Sequence, residues 1–370
     1  MLYNVEPSVY QAGELDSQNI ILSLVSGDRH RCTVFALGIM PYITSSLVMW
    51  ILLSARGSEF KSRVSPQKLE RYTLALMLPI AAMSAVSCAG DLLFRESRLS
   101  VGTLRGIAAG EMVAGALVIY RLANLNRERG LGGHAPILLV NIADNLITTL
   151  RSFPWEQLRT PLVLCVVMAG VILLMEHVII RIPVQRVSIH NMYADKSCIA
   201  LKLDPIGVMP VMFAASFFMI PQLLVRLFLF IGGENPTLLW ISEELSLTRV
   251  TGTAVYLATV FALNIAFSFL SISPGETAEQ LQKNGDSIVN VYAGKKTRRY
   301  LRRLLLLLAL VSGGVLCLMM GVSLGLSLAG EIAPELTLFP ATSMILVGIL
   351  CPLYREVRAY WKFDSYSFFI

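Results

Sequence analysis

Residues 35–53 read FALGIMPYITSSLVMWILL, nineteen positions without a charged side chain. A run of that length and character can cross the hydrocarbon core of a bilayer as a helix. Gly38 and Pro41 stand at its start, where a helix must bend or open. At membrane depth such a break is tolerated only beside other protein or a water-filled cavity. A second stretch begins the same way. Gly38-Ile39-Met40-Pro41 runs into Tyr42-Ile43-Thr44-Ser45-Ser46, and Gly207-Val208-Met209-Pro210 runs into Val211-Met212-Phe213-Ala214-Ala215-Ser216.

The rest of the chain has the same character. Of 370 residues, 55% are hydrophobic and 15% charged, with a mean hydropathy of +0.64, whereas a water-soluble globule carries roughly a quarter charged residues. The expected fold class is an all-α polytopic membrane protein. Apolar segments fall at about 33–55, 72–94, 101–122, 135–150, 160–181, 206–231, 249–272, 304–329 and 337–354, which makes nine spans and leaves no room for a soluble catalytic domain. The fourth is short and holds Asn141, Asp144 and Asn145, so it must be shielded by other helices or line a cavity.

Loop charge sets the orientation. Arg56, Lys61, Arg63, Lys68 and Arg71 follow the first span; Arg121, Arg127 and Arg129 the third; Arg181, Arg186, Lys196 and Lys202 the fifth. Lys283, Lys295, Lys296, Arg298, Arg299, Arg302 and Arg303 follow the seventh, and Arg355, Arg358 and Lys362 the last. The loops after the sixth and eighth spans are led by Glu234, Glu243, Glu244, Glu331 and Glu335. Loops after odd-numbered spans, and the C-terminus, are therefore expected in the cytoplasm. The net charge of +6 is then topological, and nucleic acid is not an expected partner. This orientation puts residues 1–32 outside, although no basic stretch followed by an apolar one marks a signal peptide there. The expectation is a chain lacking an opening span. The two Gly-x-Met-Pro spans are five apart and cross in opposite directions, which fits an inverted repeat of five-span halves.

No motif for catalysis appears: there is no phosphate-binding G-x-x-x-x-G-K-[ST], no H-E-x-x-H and no G-x-S-x-G. The protein is not expected to be an enzyme, and neither a cofactor nor a metal is expected. His30, His134, His177 and His190 stand apart as interfacial residues, and the six scattered cysteines read as small core residues. Glu111 in the third span has two readings, a proton or ion relay and a paired carboxyl in a close helix contact permitted by Gly106-x-x-x-Gly110. Asp144 likewise reads as a cavity-lining group or an interfacial carboxylate.

Bulky aliphatics beside small residues are candidate pore walls: Ile43 and Leu47, Leu138, Leu139 and Ile142, Val208, Met209 and Met212, Ile345 and Leu346. Periodicity alone favours packed or lipid-facing side chains, but such residues can also form a hydrophobic constriction that blocks ions by dewetting while yielding to a larger permeant. Two loops offer docking surfaces. Residues 273–303 lead from a Pro274-Gly275 turn through a polar helix-prone piece, Glu276 to Lys283, into a strongly basic second half suited to an acidic partner or anionic lipid. Residues 181–206 alternate polar and apolar positions around Ala194-Asp195-Lys196, as a β-hairpin does.

At these residues the sequence resembles the SecY family of protein-conducting channels. The resemblance rests on Phe35 to Thr44, Glu128-Arg129-Gly130-Leu131-Gly132, Arg181-Ile182-Pro183-Val184-Gln185, Gly207 to Ala214 and Pro274-Gly275-Glu276-Thr277-Ala278-Glu279-Gln280-Leu281, in the family's order over about residues 18–356. It implies a clamshell of two inverted five-helix halves around an hourglass pore for unfolded polypeptide, with a lateral gate into lipid. Residues 33–159 would form the N-terminal half, 160–356 the C-terminal half and 357–370 a cytoplasmic tail. The resemblance places a pore ring at Ile43, Leu47, Leu139 (with Leu138 or Ile142 in a slipped register), Met212 and Leu346. It places lateral-gate hinges at Gly38, Pro41, Gly207 and Pro210. Within the extracytoplasmic segment 1–32, a sealing plug would lie at Ser17 to Gly27 with Ile20, Ile21, Leu22 and Leu24. Lys295, Lys296, Arg298, Arg299, Arg302 and Arg303 would dock a motor.

The implied partners are a SecA-type ATPase, SecE- and SecG-like small membrane subunits, a secretory preprotein and membrane lipids, at the plasma membrane. Three departures set the chain apart: the missing opening span; Tyr292-Ala293-Gly294 followed by Lys295-Lys296 where the main channel has Arg-Pro-Gly; and a lining of Met and Leu with a polar fourth span. These resemble the accessory SecY paralogue of Gram-positive bacteria, which implies an accessory SecA, other accessory Sec proteins and serine-rich glycosylated adhesins as cargo. The rival readings are a secondary transporter with broken helices, using Glu111 and Asp144, and a membrane scaffold without a pore.

Overall fold

The computed structural model describes residues 33–55, 65–90, 100–186, 198–218, 249–292, 294–333 and 336–366, with Leu2, Leu92, Pro221, Glu244 and Leu247. Within them the chain forms α1 (Met40–Ala55), α2 (Pro66–Gly90), α3 (Val101–Arg129), α4 (Ala135–Ser152) and α5 (Trp155–His177). The strands β1 (Ile179–Arg186) and β2 (Cys198–Lys202) lead to α6 (Met209–Phe218). Then follow α7 (Val250–Ser271), α8 (Pro274–Lys283), β3 (Asp286–Ile288), α9 (Lys295–Leu328) and α10 (Phe339–Tyr366). Each of the nine predicted apolar segments contains a described helix. Among the described residues, five stretches are long and apolar enough to cross a membrane: Gln67–Gly90, Val101–Arg129, Trp155–His177, Val250–Lys283 and Lys295–Leu328.

Local chemistry explains how polar residues enter these helices. In α1 the hydroxyls of Thr44, Ser45 and Ser46 donate to the carbonyls of Met40, Tyr42 and Ile43 at 3.0, 2.9 and 2.8 Å. Such back-bonding satisfies a hydroxyl where no water reaches it. Ser100 caps α3, accepting from the Thr103 amide at 3.4 Å, and Arg127 and Arg129 close it at the end where the helix dipole favours cations. Between α7 and α9, Asn264 Nδ2 donates to the Ala309 carbonyl at 2.8 Å and to Ser312 Oγ at 2.9 Å.

Two packed groups share one core. Helices α1, α2 and α3 enclose Met77, Ala85, Ala108, Met112 and Ala116. α7 packs on α9, and α10 packs on α5 and α4. A larger cluster contributed by α1, α3, α4, α5, α6, α7, α9 and α10 lies between them. Within the first group, Gly115 of α3 lets the segment before α1 come close: a Cβ there would stand 2.0 Å from the Val34 carbonyl oxygen.

Three expectations change. The fold is not purely helical: the expected hairpin forms, β1 pairing with β2 from Ile179↔Lys202 to Pro183↔Cys198, and β3 adds to its other edge from Val184↔Ile288 to Arg186↔Asp286. The basic stretch 295–303, read as loop, is the first part of α9. Thr297, Leu301, Leu305 and Leu308 are buried there at helical spacing, so packing on the sheet extends the helix beyond its lipid-crossing length. The tail expected from 357 is likewise a continuation of α10 to Tyr366.

Candidate functional site

The two Gly-x-Met-Pro stretches fold alike. Gly38 has φ 55° and Gly207 φ 70°, in the left-handed region that glycine adopts without a Cβ clash. Each glycine ends a turn that opens a helix, α1 at Met40 and α6 at Met209. Pro41 and Pro210 lie in the first turn of those helices, where a missing amide hydrogen costs nothing. The matching register then delivers Ile43 and Met212, equivalent positions of the repeat, into one apolar cluster. Ser216 Oγ on α6 lies 3.8 Å from Met40 Sδ on α1, so the two helices touch directly.

Ile142 from α4 and Ile345 from α10, both fully buried, complete the centre, with Leu346 and Leu138 packed in the same cluster. Of the predicted ring, Ile43, Ile142 and Met212 belong to one extended buried cluster and Leu346 packs against it. Leu47 is buried on α1 and Leu139 half-buried on α4, but neither joins this cluster. Val208 is buried in it, whereas Met209 is exposed. The plug positions Ile20, Ile21, Leu22 and Leu24 lie outside the described residues. Glu111 and Asp144 stand on different helices, α3 and α4, and the described residues hold no cluster of His, Cys, Asp and Glu suited to a metal ion.

The two predicted docking loops become one surface. β1 joins β2 from one loop to β3 from the other, and Ile182, Leu201, Ile288, Leu301 and Leu308 form the core beneath. Lys295, Lys296, Arg298, Arg299, Arg302 and Arg303 are all exposed on α9. Lys296 Nζ rests 4.5 Å from the centroid of the Tyr292 ring, and Gly294 at φ 92° starts the helix. Six cations on the first turns of a helix oppose its macrodipole, so they do not serve the helix itself. Beside them a cleft of about 560 Å³ lies between Phe269, the Pro274-Gly275 turn, Glu279, Arg298 and Arg302.

Sequence reasoning missed a polar network beneath α6. Asp204, 2% exposed, accepts hydrogen bonds from the amides of Gly207 at 3.0 Å and Ile206 at 3.4 Å. Desolvation outweighs those bonds and pushes its carboxyl up to about 6. The neutral form is thus favoured in the folded protein, so stability is present at low pH and lost as pH rises through 6. Between pH 5 and 7 this amounts to about 1 kcal/mol. Asp204→Asn is expected to remove that part of the pH dependence, measured as the difference in thermal stability between pH 5 and 7; an unchanged difference contradicts the assignment.

A second network ties the N-terminal helices. Glu70 on α2 accepts from Tyr120 Oη and Arg127 Nη2, both at 3.1 Å, and from Asn124. His134, expected as an isolated interfacial residue, stacks on Tyr42 of α1 at 4.9 Å, and Tyr120 meets the same ring at 5.2 Å. Burial lowers the His134 pKa, with Arg127 acting in the same sense.

The SecY family description matches residues 33–354. The accessory Sec system protein translocase subunit SecY2 of Streptococcus sanguinis is 30% identical over 363 residues, covering 96% of this chain and 88% of that protein. Its namesake from Streptococcus gordonii is 25% identical over 361 residues, with 96% and 88% covered. Among solved structures, a protein conducting channel matches with a TM-score of 0.67 at 14% identity, covering 96% of this chain and 87% of that one. Sec61 in the canine ribosome-channel complex from the endoplasmic reticulum matches at 0.62 and 14% identity, with 96% and 87% covered.

Proposed function

The chain belongs to the SecY family as a multi-pass plasma-membrane channel subunit of the accessory Sec type, and from that premise we propose where polypeptide passes and what drives it. The constriction is the cluster of Ile43, Ile142, Met212, Ile345 and Leu346. The observation that carries this reading is its construction from both arms of the repeat, since Ile43 and Met212 follow equivalent left-handed glycines and belong to the same buried apolar cluster. An apolar ring resists ions by dewetting and deforms around a chain, and methionine is the most adaptable of its members.

Nine spans with a cytoplasmic C-terminus put the sheet and the basic turns of α9 on the cytoplasmic face. A SecA-type ATPase of the accessory class docks there, its acidic surface against Lys295, Lys296, Arg298, Arg299, Arg302 and Arg303. Such a motor supplies the work for which the chain itself has no nucleotide motif. The cargo is unfolded preprotein, serine-rich glycosylated adhesins in particular, and SecE- and SecG-like subunits and other accessory Sec proteins complete the assembly.

One experiment tests both parts. A precursor stalled during ATPase-driven export is expected to cross-link to photoreactive probes at 43, 142, 212 and 346. Labelling confined to lipid-facing positions such as Val166 and Leu174 of α5, both well exposed, removes the constriction. Reversing Lys295, Lys296, Arg298 and Arg299 to glutamate is expected to abolish ATPase-dependent cross-linking while the protein still inserts; unchanged cross-linking at moderate salt removes the docking surface.

A further inference from the structure

Glu176 ends α5, one residue before its last, and is 4% exposed. Its position is unfavourable twice over, because burial penalises a carboxylate and the C-terminal end of a helix carries partial negative charge. Cations from two other elements offset this. Lys202 of β2 approaches Glu176 Oε2 at 3.0 Å and Arg355 Nη1 of α10 approaches the same oxygen at 3.2 Å. Arg355 Nη2 also donates to the Glu176 main-chain carbonyl at 2.7 Å, satisfying an acceptor that the helix end leaves open. The other carboxylate oxygen, Oε1, faces the hinge: a Cβ on Gly207 would stand 3.2 Å from it. Asp204 pins that hinge through the Ile206 and Gly207 amides.

One carboxylate thus ties α5 to the hairpin and α10 and lies against the turn that opens α6. Glu176 is balanced by Lys202 and Arg355 together, so withdrawing either cation leaves a buried carboxylate less well compensated. α6 carries Met212 and α10 carries Ile345 and Leu346, so the contact lies against the start of α6 and holds the second half of α10, the two helices that bring constriction residues from the second half of the chain.

Resting on the channel reading above, we propose that Glu176 is a positioning residue of the gate: its clamp on Lys202, Arg355 and the Gly207 hinge holds α6 against α1, and the gate opens when the clamp yields. The readout is the distance between the gate helices. Met40→Cys and Ser216→Cys, placed on the 3.8 Å contact between α1 and α6, report it as a disulfide identified by peptide mass in proteoliposomes of the full chain with its membrane partners. A second pair, Asn264→Cys and Ser312→Cys, bridges α7 and α9 as a control.

Glu176→Gln and Arg355→Gln are each expected to lower the 40–216 disulfide yield at least threefold and to leave the 264–312 yield unchanged. The double variant is expected to be no worse than either single one, because both remove the same contact. Glu176→Asp is expected to restore part of the yield. If Glu176→Gln does not accumulate, Lys202→Gln carries the test, since it removes one of the two cations at a half-exposed position and leaves Arg355 in place. A 40–216 yield equal to that of the parent in folded Glu176→Gln or Lys202→Gln protein overturns the proposal, as does an equal fall at 264–312. Parent proteoliposomes that fail to move precursor while Glu176→Gln still loosens the 40–216 contact overturn the channel reading and leave the clamp standing.

Discussion

Ile142→Lys is expected to make the resting protein leak ions. The residue is fully buried in the cluster that Ile43, Met212 and Ile345 share, and an apolar passage of that kind stays closed to ions because it offers a hydrated ion no partner. An ammonium group there recruits water and gives anions a counter-charge. Placing it costs about 3 kcal/mol at the centre of a membrane helix, a cost that the leak itself relieves by hydrating the site. Passive anion flux from reconstituted vesicles is expected to rise by at least tenfold, the equivalent of lowering the barrier by about 1.4 kcal/mol. Ile142→Leu, which keeps volume and polarity, is expected to leave the seal intact. Vesicles carrying Ile142→Lys that hold their ions as tightly as the parent would show that the seal lies elsewhere.

Gly348→Val is expected to separate α10 from the start of α6. A Cβ built at Gly348 would lie 2.2 Å from Val208 Cγ2 and 2.9 Å from Val208 Cβ, well inside contact distance. Val208 cannot swing away cheaply: it is buried, it follows the Gly207 hinge, and its β-branched side chain has few open rotamers. Overpacking of this severity costs about 3 kcal/mol, a large part of a marginal stability. The expected result is a lowered melting temperature in detergent and reduced accumulation in membranes. Val208→Ala, which removes the opposing methyl groups, is expected to recover more than half of the loss. A Gly348→Val protein with the parent's melting temperature would mean that α6 and α10 do not meet there.

The legible part of this molecule was what the bilayer imposes on local sequence. The hinges were readable because a Gly-x-Met-Pro pattern opening an apolar run needs a cavity beside it. The hairpin was readable because strands alternate. The basic turns of α9 were recognised as a surface but misread as loop: lysine and arginine dominate 295–303, and the buried Thr297 and Leu301 that extend the helix are too few to signal it. The ring was readable only in part. Leu47 and Leu139 carry the same chemistry as Ile43 and Ile142, and a helix apolar on every side holds no periodic signal for which side faces a partner. Glu176 falls inside the expected fifth span, and its partners Lys202 and Arg355 lie too far along the chain for local sequence to reveal them.

By itself the sequence determined the class of fold, the order of its helices, the repeat that opens α1 and α6, and the family, because each is a property of contiguous residues under a strong solvent constraint. Tertiary structure alone decided which aliphatic side chains share one buried cluster, that two distant loops share one sheet, and that residues 176, 202, 207 and 355 converge. Those outcomes depend on the rotation and contact of helices far apart in the chain. The bilayer that dictates their apolar character does not distinguish one apolar face from another.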